Sequence, residues 1–267
     1  NGMKQLGTFA LAAALAGSLL TPALAAGYTA SITVNGTALD TSALPEAQGL
    51  PLRLVAEADH GSASWFAEEN SSFFYFSKHQ VEVSFQDGSI TVDDNLVEGA
   101  TAQVVDGVTF VPASVLDGLD GITLEESETG VSITTPNNSP LAKLAYEVAD
   151  AGGVGYGMAV DAESLDTYGI HSDSFTEAAG FFPMITSPDT IIIGKLAEGK
   201  EAQAKADLEA YRQQQEDTFS WYLSQNLPKV QDARTVVKDG YLLFVIAENA
   251  DEAVAAFENG LAGLEEG

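Results

Sequence analysis

His60, His79 and His171 are the side chains best suited by type to move a proton or bind a metal near neutral pH, and they lie far apart in the 267 residues. That scatter lacks the spacing of a preformed ligand set, so all three read as ordinary histidines and no metal ligand is assigned. His171-Ser172-Asp173-Ser174 contains every residue type of a nucleophilic triad. Sequence neighbours cannot reach triad geometry, and no His-plus-Asp pair is indicated elsewhere, so the run reads as a polar turn.

Gly152-Gly153-Val154-Gly155-Tyr156-Gly157 has the glycine density of a phosphate-binding loop. It follows a helical pattern rather than a strand, lacks the Lys-Ser/Thr ending and misses the dinucleotide spacing, so it reads as a flexible loop. Asp93-Asp94-Asn95 and Asp117-Gly118-Leu119-Asp120-Gly121 offer oxygen ligands to calcium without the regular acidic spacing or the distal Glu; they leave weak binding at an acidic turn open. With 39 acids in the chain any two carboxylates could meet, so glycosidase-type pairs carry no signal. No catalytic residue and no cofactor site is assigned. The chain has no cysteine, which removes disulfides, thiolate metal sites and lipid-attached cysteine together.

Phe73-Phe74-Tyr75-Phe76 is the one stretch whose composition suggests binding. On a strand Phe73 and Tyr75 face one way and Phe74 and Phe76 the other, so one ring pair should lie outside the core of its module. Such rings are covered by other parts of the protein or form a stacking surface for a sugar or peptide. Arg53 is one of two cations in its module and is expected to make a structural bond, to a carboxylate or to helix-end carbonyls, that fixes its helix on the sheet.

These residues sit in a chain that reads as α+β with two modules. Leu6 to Leu20 is an Ala/Leu-rich run ending near Thr21-Pro22, and Ala23-Leu24-Ala25 fits the cleavage rule, so residues 1–26 are expected to be a signal peptide. Residues 28–136 are strand-rich, with Asn35-Gly36, Asp87-Gly88 and Asp106-Gly107 as turns and a short helix after Pro51. Residues 137–139 belong to a Pro, Asn and Ser linker. Residues 140–265 start with Ser139 as N-cap and Pro140 as first helical residue, then continue as a strand over Met184 to Leu196 and a long helix from about Gly199 to Leu223. A hairpin at Asp239-Gly240 and a last helix follow. The expected arrangement is a smaller sheet with helices packed on one face.

Val34-Asn35-Gly36, Pro51-Leu52-Arg53, Trp65 and Asp106-Gly107-Val108-Thr109-Phe110-Val111-Pro112 resemble the copper amine oxidase N-terminal-like domain of exported proteins. The resemblance implies structural roles for Arg53, Trp65 and Pro112 and a non-catalytic appendage, since the oxidase chemistry belongs to a separate domain. The match departs at Ala113-Ser114, where Leu-Arg is usual after the proline, and at Asp59-His60-Gly61, where Leu-Gly is usual. Ile191-Ile192-Ile193-Gly194-Lys195, Arg212, Tyr222, Pro228, Asp239-Gly240-Tyr241 and Phe257 resemble a C-terminal domain of unknown function found in exported proteins of clostridial type bacteria.

Net charge of −28, spread over both modules, repels nucleic acid and anionic bilayers, so neither is an expected partner. The expectation is an extracellular protein, secreted or associated with the cell wall, without enzymatic activity or cofactor, whose partner is a protein or cell-wall component. Two other readings stand beside it: a secreted enzyme with a carboxylate-based site in the second module, and a small-ligand-binding protein with a pocket between modules.

Overall fold

Two-residue turns in the left-handed backbone region shape the first part of the chain. The computed structural model describes residues 27–265; the expected signal peptide lies outside the described residues. Two compact units meet between Asn138 and Ser139. The first contains β1 (Ser31–Val34), β2 (Thr37–Ala38), β3 (Leu50–Pro51), α1 (Leu52–Ala58), β4 (Ser62–Phe66), β5 (Ser71–Phe76), β6 (His79–Ser84) and β7 (Ser89–Val92). After these come β8 (Asn95–Thr101), β9 (Gln103–Val105), β10 (Val108–Val111), β11 (Thr123–Glu126) and β12 (Gly130–Thr134). Asn35-Gly36, Ser77-Lys78, Asp93-Asp94 and Asp106-Gly107 all hold positive φ and close hairpins, because that geometry matches the twist of the flanking strands.

Three sheets result, ordered β11-β12-β1-β2, β3-β10-β9 and β4-β5-β6-β7-β8. The parallel pairing of β1 with β12 joins the two ends of the unit. Helix α1 follows Pro51 and buries Leu52, Val55 and Ala56, the i, i+3 and i+4 positions of one face.

The buried carboxylate of Asp59 ends α1 and gathers four neutral donors. Its Oδ1 accepts from Thr135 Oγ1 at 2.5 Å, Asn137 Nδ2 at 3.1 Å and Asn35 Nδ2 at 3.4 Å, and its Oδ2 from the Ser77 hydroxyl. Consequently the expected linker is not free chain. Pro136–Asn138 forms a 3-10 turn, and Asn137 Nδ2 ties it to both the carbonyl and the carboxylate of Asp59.

The second unit contains α2 (Pro140–Gly152), β13 (Met158–Ala159), α3 (Ala162–Thr167), β14 (Phe175–Phe182), β15 (Thr190–Leu196), α4 (Glu201–Phe219), α5 (Leu227–Gln231), β16 (Arg234–Lys238), β17 (Tyr241–Ile246) and α6 (Ala250–Glu265). Its antiparallel sheet runs β13-β14-β15-β17-β16. Ile191, Ile193, Leu243 and Val245 pack with Leu144, Val148 and Phe257 of α2 and α6. Ile192, Leu242, Phe244 and Ile246 pack with Leu208, Tyr211 and Val230 of α4 and α5. Helices therefore cover both faces of this sheet, not one, and the chain as a whole is α+β.

Strand β15 begins at Thr190, later than expected, because the preceding Met184 and Ile185 are exposed in a turn. Helix α4 stops at Phe219, short of the expected Leu223, and Tyr222 beyond it is 40% exposed.

Candidate functional site

Cross-strand register decides which aromatic rings of β5 are open. Phe74 lies between Ala63 of β4 and Val81 of β6, and with Phe76 it belongs to the core. Phe73 lies between Ser64 and Glu82, and Tyr75 between Ser62 and Gln80, on the opposite face. The Phe73 and Tyr75 rings stack with centroids 6.4 Å apart, and Phe66 meets Phe73 edge-on at 5.0 Å. Phe66 is 46% exposed, whereas Phe73, covered by its neighbours, is 8% exposed. Tyr75, beside the small Ser62 of β4, is half-buried and is the more open of the two β5 rings.

Trp65, to which the resemblance gives a structural role, is 51% exposed. It faces the core side of the sheet beside Ser72, whose small side chain lets the indole cross β5 and reach the Phe85 ring, 4.8 Å away between centroids. Both rings lie where the core has ended, which leaves them in water. Arg53 also departs from expectation: its Nε pairs at 3.2 Å with Glu57, one turn along the same helix, and both side chains are more than half exposed. The bond is local to α1 and does not fix the helix on the sheet. Pro112 turns the chain out of β10, with its carbonyl accepting from Val115 N as the 3-10 turn Ala113–Val115 starts.

Two histidines have acidic partners that their sequence neighbourhoods do not indicate. His79 Nδ1 lies 2.7 Å from Asp93 Oδ2 and its Nε2 lies 2.8 Å from the Asp120 carbonyl. Burial opposes charge on this ring, but the carbonyl and the carboxylate outweigh it and raise the pKa above 6.5. Asp93 is thus a turn residue bound to His79 and to the Gln80 N–H at 2.9 Å, and among the described residues no group of three or more His, Cys, Asp or Glu side chains is placed to hold a metal.

His171 begins a 3-10 turn, Ser172–Ser174, and its Nδ1 lies 2.7 Å from Asp207 Oδ2 on α4; the same oxygen accepts from the His171 backbone N–H. Asp207 Oδ1 accepts from Gln203. The hydrogen bond and charge of Asp207, with Asp173 and Asp166 nearby, raise the His171 pKa. Surroundings of this kind favour imidazolium, a donor, over the neutral ring a general base requires. Ser172, its neighbour, is bonded through N–H and hydroxyl to Asp166 rather than to the imidazole. The pair ties the turn to α4.

The glycine-rich run is a loop, as expected, anchored at several points. Gly153 caps α2 in the left-handed conformation and Val154 is buried; Gly157 passes so near Phe182 that a Cβ would lie 2.0 Å from its carbonyl oxygen. Tyr156 packs on Tyr146 and Phe181 and donates to Asp150 at 2.6 Å; burial, helped by that carboxylate, pushes its pKa up to about 12.

Residues 157–247 match the family model described as Domain of unknown function (DUF4358), which spans most of the second unit. No curated protein and no solved structure matches the chain. The family match falls where a domain of unknown function was expected; the first unit has no matching model for the amine-oxidase-type resemblance. Among the described residues, no helix is long and apolar enough to cross a membrane.

Phe66 and Glu82 complete the outward face around Phe73 and Tyr75, and sequence reading did not select either one. A hairpin register between β4 and β5 would have found Phe66, because it places Ser64 opposite Phe73 and Phe66 two residues further along the same face.

Proposed function

We propose that this chain is an exported, non-enzymatic binding protein, extracellular or associated with the cell wall, whose first unit takes its ligand on the outward face of β4 and β5. One observation carries the reading: Phe66, Phe73 and Tyr75 form a connected ring cluster on the face of the sheet turned away from the unit's own core. Rings on a rigid sheet bury much area while losing little entropy, which suits recognition. The resemblance of this unit to the copper amine oxidase N-terminal-like domain, a non-catalytic appendage, supports the same reading.

The test is capture. The immobilised chain should retain a component from cell-wall fragments or secreted proteins, and Phe66→Ser and Tyr75→Ser should each reduce capture about tenfold, with folding confirmed by far-UV circular dichroism. Capture that survives both substitutions overturns the assignment.

A further inference from the structure

We infer that the ligand of this face is a cationic polypeptide, which pairs along β4 and lays a lysine or arginine side chain over the half-buried Tyr75 ring toward Glu82. The inference rests on the binding reading above and names the chemical class of its ligand.

Three observations converge on it. The first is the position of a carboxylate beside the rings. Glu82 stands directly opposite Phe73 in the β5–β6 register, with Tyr75 diagonal to it on the same face. Directly opposed residues have Cβ atoms about 5 Å apart and diagonal ones about 7 Å. A ring face and a carboxylate at that spacing are the two halves of a site for an ammonium or guanidinium: the ring quadrupole attracts the cation and the carboxylate pairs with it.

The second is charge. From Tyr28 to Pro136 the chain has 17 acids against Arg53 and Lys78 alone, and Arg53 is engaged by Glu57 on its own helix. The β4, β5 and β6 positions that share a face with Phe73 include no Lys or Arg. A partner can supply the cation that these strand positions lack, and the field of the unit draws one in.

The third separates a peptide from a sugar. β4 is the edge strand of its sheet, paired on one side by β5. An extended peptide can add beside it through main-chain hydrogen bonds and project alternate side chains over the outward face. Ser62 and Ser64 then lie between the added strand and the rings, too small to obstruct. With strands about 4.8 Å apart, an added strand lies about 10 Å from β5, so only a long side chain passes over β4 to the β5 rings, where Glu82 reaches back from β6 to meet its head group; lysine and arginine combine that length with positive charge. A neutral sugar would stack on the rings and donate its hydroxyls to Glu82 but leave the strand edge idle, so the edge is what favours a peptide.

The probe is an acetylated, amidated hexapeptide of alternating threonine and lysine, titrated into the full chain by calorimetry at two salt concentrations. Glu82→Gln and Tyr75→Leu should each weaken binding about tenfold. Glu128→Gln, which removes the same charge from an exposed turn elsewhere in the unit, should change it less than twofold. Thermal melting of each variant confirms folding. Equal weakening by Glu82→Gln and Glu128→Gln would mean general attraction to an acidic protein, and the inference fails. Tighter binding of a neutral hexasaccharide than of the lysine peptide also overturns it. If Tyr75→Ser abolishes capture from extracts while Glu82→Gln leaves hexapeptide binding intact, the cationic ligand is wrong and the binding face stands. If neither the extract nor the hexapeptide responds to any ring substitution, both fail.

Discussion

His79 Nδ1 lies 2.7 Å from Asp93 Oδ2, a contact between the start of β6 and the turn after β7, while the other ring nitrogen faces the Asp120 carbonyl. A neutral imidazole has one N–H, and two acceptors require two, so this arrangement selects imidazolium.

The consequence is a pH dependence with a defined sign. His79 has a raised pKa, so its contribution is complete below 6.5 and is lost as pH rises through the higher folded value. Burial alone would raise the Asp93 pKa, but the Gln80 N–H and His79 outweigh it, so its contribution is complete above 3.8 and is lost as pH falls through the lower folded value. The bridge therefore operates from about the lowered Asp93 pKa to the raised His79 pKa. Thermal melting should show the first unit less stable at pH 8.5 than at pH 6 by about 1 kcal/mol, and His79→Gln should flatten that difference. An unchanged pH slope in the variant would refute the assignment.

Asp59 should be among the least replaceable polar residues of the first unit. Removing its carboxylate with Asp59→Ala leaves Ser77, Thr135, Asn35 and Asn137 donors without their acceptor in a buried site, at a cost of about 3 kcal/mol or more. Urea unfolding should show the loss. Limited proteolysis should then cut at Pro136–Asn138 much faster than in the parent chain, because Asn137 loses its tether. Equal cleavage rates would show that the turn is held by other means.

Two glycines of one loop should behave oppositely. Gly155 has open space where a Cβ would sit, whereas at Gly157 the Cβ would meet the Phe182 carbonyl oxygen at 2.0 Å. Gly155→Ala should leave the melting temperature within about 2 °C of the parent, and Gly157→Ala should destabilise by about 2 kcal/mol or more. A phosphate-cradling loop would give a different outcome: weaker phosphate binding in both variants, with stability unchanged.

Local chemistry was legible where a few neighbouring residues decide it. Asn35-Gly36, Asp106-Gly107 and Asp239-Gly240 announce turns because their side chains tolerate positive φ, and all three adopt it. Ser139-Pro140 announces the start of α2 for an equally local reason, and the Ser139 hydroxyl accepts from the Ala142 N–H at 3.4 Å. The alternation of Phe73 to Phe76 fixes two opposite faces by the period of a strand alone. Ile191-Ile192-Ile193 even contained the evidence that β15 is buried on both sides, since adjacent apolar residues point to opposite faces; taken one step further, it implies helices on both.

Only the tertiary structure could decide the rest, because the partners are brought together by chain topology and no periodicity encodes them. His171 meets Asp207 across 36 positions and Asp59 meets Asn137 across 78. Strand period could say that Phe73 and Tyr75 share a face but not which face the core would take, nor that Ser64, Phe66 and Glu82 would stand beside them. The exposure of Trp65 was hidden for the same reason: burial depends on where a core ends, and that limit is set by how sheets stack. Sequence by itself thus determined the turns, the two-unit division and the parity of each strand, all governed by backbone preferences over a few residues. The open ring face, the imidazolium bridge and the buried carboxylate were decided by long-range packing, in which each side chain's surroundings come from distant parts of the chain.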